Sequence, residues 1–115
     1  MVVNMLGATT VEGTGVVVVG IDYDDLRPAV GATASIDAVA GDPWVLGARG
    51  AAYGDTIPQG GMGMVAFPNV PAGNLTVDVT PPPSASECTA FPGGGEMPEV
   101  PVGANEVTVV TFHCR

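Results

Sequence analysis

Two stretches of the chain alternate cleanly between apolar and polar positions. Within Gly31–Val39, Ala32, Ala34, Ile36 and Ala38 fall on one side, and Thr33, Ser35 and Asp37 on the other. Leu75, Val77 and Val79 alternate in the same way with Thr76, Asp78 and Thr80. A period of two is that of a strand with one wet face. The run VVVVGI, Val16–Ile21, is β-branched throughout and does not alternate. It predicts a strand covered on both faces, with the outer cover being the N-terminal segment or another molecule.

Shorter strand candidates are Val2–Leu6, Trp44–Ala48, Ala51–Tyr53, Met62–Phe67, Cys88–Phe91 and Asn105–Cys114. Asp22–Pro28 reads as a polar turn. Asn69–Gly73, NVPAG, reads as a second turn, with Pro71 fixing φ and Gly73 free to take a positive one. Pro81–Pro83 ends the strand before it, since proline cannot donate to a ladder. Ser84–Pro101 reads as loop, and Gly41–Gly61 has no regular pattern. The count is seven or eight strands and no helix.

Composition agrees with that count. The 115 residues suit one domain over residues 1–115, with residues 1–10 as an N-terminal extension strand. The 17 glycines and 11 prolines would interrupt helices of ordinary length. The expected fold is all-β, short strands joined by many turns. Met1–Thr10 lacks the basic start and long apolar core of a signal peptide. No run is long enough for a membrane span, so membrane insertion is not expected.

Charge narrows the partners. The net charge is −9 and there is no lysine. A nucleic-acid partner needs a basic footprint that this chain lacks. Without lysine, neither a Lys–Asn isopeptide cross-link nor sortase-type polymerisation is available, so any assembly is non-covalent or uses the cysteines. The two cysteines, Cys88 and Cys114, are an even count in a short chain and predict a disulfide. Closing that loop would stabilise the fold by roughly 3 kcal/mol. It also places the protein in the periplasm, at the cell surface or outside the cell. Two buried free thiols are the alternative.

Candidate chemistry is sparse. Asp22, Asp24 and Asp25 are the densest acidic cluster and a weak calcium candidate. The alternative is a solvated turn, because the order DYDD lacks the glycine and distal glutamate of a calcium loop. His113 and Cys114 are adjacent, so in a strand they point apart and share no metal. There is no G-x-S-x-G motif, and the single histidine leaves one base for nucleophilic catalysis. The glycine-rich Phe91–Pro98 lacks the following lysine of a phosphate cradle. Neither enzyme activity nor a cofactor is expected. Trp44, Tyr53 and Tyr23 are the aromatics expected at the surface, where a platform can stack on sugars or anchor a partner. Core filling is the alternative, and the favoured one for Trp44.

RPAVGATASI (Arg27–Ile36) and GMVAFPNVPAGNLTVDV (Gly63–Val79) resemble the signature of carboxypeptidase regulatory-like domains. Val65 and Phe67 stand at its two aromatic positions, and Leu75 replaces its usual tyrosine. ANEVTVVTF resembles the family's closing strand. The resemblance implies a single Greek-key β-sandwich of about seven to eight strands, prealbumin- or immunoglobulin-like, acting as a non-catalytic module of secreted or surface proteins. Gly41–Gly61 departs from the pattern.

These readings converge on an extracellular structural or adhesive unit that self-associates. The expected assembly residues are Val2, Val3, Leu6, Val16, Val18, Trp44 and Tyr53, with Val2–Leu6 adding to a neighbour's sheet edge. The alternatives are a module that binds a glycan or a surface protein, and a passive spacer beside an enzyme domain.

Overall fold

The computed structural model describes residues 13–38, 40–47, 50–91 and 99–115. Within them lie nine strands: β1 (Thr14–Tyr23), β2 (Thr33–Ile36), β3 (Trp44–Gly47), β4 (Gly50–Tyr53), β5 (Met64–Pro71), β6 (Gly73–Thr80), β7 (Cys88–Phe91), β8 (Glu99–Val102) and β9 (Val107–Cys114). They form a six-stranded sheet, ordered β4-β3-β5-β1-β9-β7, and a three-stranded sheet, ordered β2-β6-β8. The all-β class is as the alternation predicts.

β1 is central. It pairs antiparallel with β5 and parallel with β9. Its odd positions Val17, Val19 and Ile21 point into the core. They meet Val65 and Phe67 of β5 and Phe112 of β9. From the other sheet come Ala34, Leu75, Val77, Val79, Val100 and Val102. Valine is therefore the commonest core residue, and among the described residues Phe112 is the largest fully buried side chain. Removing such an aromatic costs about 3–5 kcal/mol.

Several boundaries differ from the sequence reading. NVPAG is not a simple turn. Pro68 and Asn69 together face Val16, because the register steps from Gly15↔Val70 to Val17↔Phe67. This is a β-bulge in β5. Asn69 takes φ 56 there, a left-handed value that asparagine tolerates, and the bulge accommodates a proline without a ladder N–H. The strand then runs on to Pro71, and the chain crosses to the other sheet at Ala72.

Glu99–Val102, read from sequence as loop, is an edge strand. Val100 and Val102 are buried, and Glu99 and Pro101 are exposed. Pro101 is tolerated because β8 lies at the sheet edge. The irregular Gly41–Gly61 holds the β3–β4 hairpin. It also holds residues 55–57, which run along the free edge of β2. Ala34 N–H donates to the Asp55 carbonyl (2.9 Å), and Ile57 N–H to the Ala32 carbonyl (2.8 Å). The candidate strand Val2–Leu6 lies outside the described residues, as does most of Phe91–Pro98.

Candidate functional site

Register and burial fix what the six-stranded sheet shows on its outer side. β1 places Val18 and Gly20 there, beside Met64 and Ala66 of β5 and Val107, Val109 and Thr111 of β9, while Val16 points the same way but is buried. Trp44 and Leu46 of β3 and Ala51 and Tyr53 of β4 extend the surface. Asp22 is the one carboxylate within the described strands of this sheet.

Among the described residues the exposed large hydrophobics are Leu26, Val30, Tyr53, Met62, Val107 and Val109. All except Val30 lie on this face or at its rim. An exposed apolar surface of this continuity marks an interaction site more often than chance.

A groove of about 430 Å³ has Gly20 in its lining, with Val109, Thr111 and Met64 around it and Leu26, Met62, Pro28 and Asp22 completing it. Gly20 makes the depression by lacking a side chain; a Cβ there would meet only Thr111 Oγ1, at 3.7 Å, and atoms further off. Two loops build the rim. Tyr23–Arg27 is closed by Leu26 N–H to the Tyr23 carbonyl (2.9 Å) and Tyr23 N–H to the Arg27 carbonyl (2.8 Å). Leu26 takes φ 70, a conformation that costs leucine about 1 kcal/mol. Its side chain is nonetheless 69 % exposed. The second loop carries Met62, which is 58 % exposed. It is held by Met62 N–H to the Leu46 carbonyl (3.1 Å) and by Ile21 N–H to the Gly63 carbonyl (2.7 Å). Gly61 and Gly63 permit these approaches: a Cβ on Gly61 would sit 2.0 Å from the Leu46 oxygen, and one on Gly63 2.7 Å from Asp22 Oδ1.

Asp22 pairs with His113 across β1 and β9. Burial pushes its carboxyl above the ordinary carboxylate value, and the nearby His113 acts in the opposite direction. Asp25, in contrast, is fully exposed, and its carboxyl is held low by Arg27, whose Nε donates to Oδ2 at 2.6 Å. Arg27 also lies over the Tyr23 ring, 5.2 Å from its centroid. Asp22, Asp24 and Asp25 are not drawn together as ligands. Among the described residues no group of three His, Cys, Asp or Glu side chains is placed to hold a metal ion.

The remaining candidates divide. Trp44 and Tyr53 face each other across the hairpin, ring centroids 4.1 Å apart and planes 41° apart. Tyr53 is 68 % exposed and Trp44 half-buried outside the core cluster. Tyr23 is half-buried against the core, and its hydroxyl shares a hydrogen bond with that of Ser84. Val16 needs correction as an assembly residue. It is 1 % exposed, opposite the Pro68–Asn69 bulge, and so has no surface to offer; Val18 is half-buried. Val2, Val3 and Leu6 lie outside the described residues.

The cysteines behave as their count predicts. Cys88 and Cys114 stand directly opposite on β7 and β9 and form a disulfide that closes a separation of 26 residues. The same end is tied by Arg115 N–H to the Glu87 carbonyl (2.9 Å) and by Arg115 Nε to Glu87 Oε1 (3.1 Å). The disulfide points to an oxidising environment. No helix among the described residues is long and apolar enough to cross a membrane.

Sequence pattern alone did not reveal the groove. Three local signs mark it: a leucine at a turn position that favours glycine or asparagine, a glycine ending a valine run, and two methionines flanking Gly63. The chain matches no family model, no curated protein and no solved structure.

Proposed function

We propose that this chain is a non-enzymatic, extracytoplasmic β-sandwich unit that associates with copies of itself without covalent links. One observation carries the reading: the outer face of the six-stranded sheet is apolar, with Val109, Val107, Met62 and Tyr53 exposed and one carboxylate in its described strands. A chain with net charge −9 repels its own copies over most of its surface. This face is where two copies meet with the least repulsion and the most apolar area to bury.

The disulfide supports placement at the cell surface, in the periplasm or outside the cell. A Greek-key, carboxypeptidase regulatory-like arrangement is supported by the repeated passage of the chain between sheets and by the parallel pairing of β1 with the last strand. The single histidine supports a non-catalytic role. Light scattering over a wide concentration range tests the reading. The mass is expected to rise above the 11.5 kDa of one chain, and a constant monomer mass would contradict it.

A second reading, a module binding a glycan or a surface protein, is favoured by the Trp44–Tyr53 pair on the exposed hairpin. Exposed aromatic rings of this kind stack on apolar ligand faces. It predicts a monomer whose Trp44 fluorescence shifts on titration with the ligand.

A further inference from the structure

We infer that the groove between the 23–27 turn and the 61–64 segment is the acceptor for the apolar segment Val2–Leu6 of a neighbouring copy. The inference rests on the self-association reading and names its contact.

The acceptor is built for an apolar strand or side-chain row. Leu26, Met62 and Val109, three of the exposed large hydrophobics, converge on one groove whose floor is a glycine. Leu26 is held in a left-handed turn position that asparagine or glycine fills more easily. Strain of that kind at an exposed apolar side chain is expected where the side chain has a partner.

The occupant is identified by composition, charge and reach. Val2, Val3, Met5 and Leu6 are apolar, and Glu12 is the only charged side chain in residues 1–12. The segment therefore brings no carboxylate into a groove that already holds Asp22. It joins the sheet at Thr14, the end of β1 away from the groove, after Gly13 at φ 82. Six residue steps of strand lead from Thr14 to Gly20, about 20 Å. Fully extended, residues 2–6 stand at most about 23–40 Å of chain beyond Gly13, enough to reach a second molecule. Seating in the groove turns each copy into both donor and acceptor, a head-to-tail contact that propagates unless it closes into a ring.

The test uses the full chain with benzoylphenylalanine at position 6, irradiated and digested. The expected product is a two-chain adduct joining position 6 to the peptide that carries Met62 and Met64. The yield should fall at least about tenfold in Val109→Asp, which sets a carboxylate in the contact. Circular dichroism checks that Val109→Asp stays folded. An adduct mapped to another surface, or one whose yield Val109→Asp leaves unchanged, overturns the groove as acceptor, while light scattering still reports association separately. An adduct to the same peptide within one chain keeps the pairing of groove and segment but overturns its supply by a neighbour, and light scattering alone then decides self-association.

Discussion

The two sheets turn opposite kinds of surface outward. On the three-stranded sheet the outward positions are Thr33 and Ser35, Asn74, Thr76, Asp78 and Thr80, and Glu99 and Pro101. On the six-stranded sheet they are Val18, Gly20, Met64, Val107, Val109, Trp44 and Tyr53, with the polar Thr111, Asp22, His113 and Thr89 confined to one end. Both inner faces are apolar, valine with Phe67 and Phe112 on the six-stranded sheet and valine with Ala34 and Leu75 on the three-stranded one. Folding therefore accounts for the inner faces and for one outer face. It does not account for the other, because an apolar surface left in water gains nothing for the isolated chain. The polar outer face shows that this sequence can alternate where it is meant to meet solvent. The absence of alternation in VVVVGI is thus a feature of one surface, not of the whole chain.

The inner side of the comparison breaks most sharply at Phe112. Phe112→Ala removes the largest fully buried side chain and should cost about 3–5 kcal/mol, read from the urea midpoint. Replacing both cysteines, Cys88→Ala with Cys114→Ala, frees β7 from β9. It is expected to cost roughly 3 kcal/mol in the same assay. The rim of the outer face behaves in the opposite sense. Leu26→Gly relieves the left-handed turn and should raise stability by up to about 1 kcal/mol while weakening association. Loss of stability with association unchanged would show that Leu26 serves the fold.

The smallest expected effect is electrostatic. Burial raises the Asp22 carboxyl above 3.8, so the folded chain holds that proton more readily than the unfolded chain. Its contribution favours folding below 3.8 and is lost as pH rises through the raised value. Asp22→Asn should therefore stabilise the protein slightly near neutral pH, with the gain shrinking to nothing in acid. A gain that grows in acid would contradict this sign.

How much of this was legible in the sequence depended on whether local pattern or tertiary contact decided the outcome. The alternations around Ala34 and Val77 were readable because each strand has one wet side. Cys88–Phe91 and the disulfide were readable from position and count. β8 was missed although Val100 and Val102 alternate with Glu99 and Pro101, because proline and the glycine-rich run before it argue for loop until the strand is known to be an edge. The bulge at Pro68–Asn69 looked like part of a turn, since both environments favour the same residues. The groove was unreadable for a different reason. Its walls come from β1, β5, β9 and two loops that only the fold brings together.

We propose that the two outer faces differ in purpose, one for solvent and one for another copy of the chain. Sedimentation velocity on three proteins tests it most directly: the unaltered chain, Val109→Asp on the six-stranded face, and Thr80→Asp on the three-stranded face. Both substituted side chains are exposed, so each change should cost no more than about 1 kcal/mol, the span of strand propensity. The unaltered chain and Thr80→Asp are expected to sediment faster as concentration rises, and Val109→Asp to remain a monomer throughout. Three identical monomers, or equal loss of association in both variants, would contradict the claim.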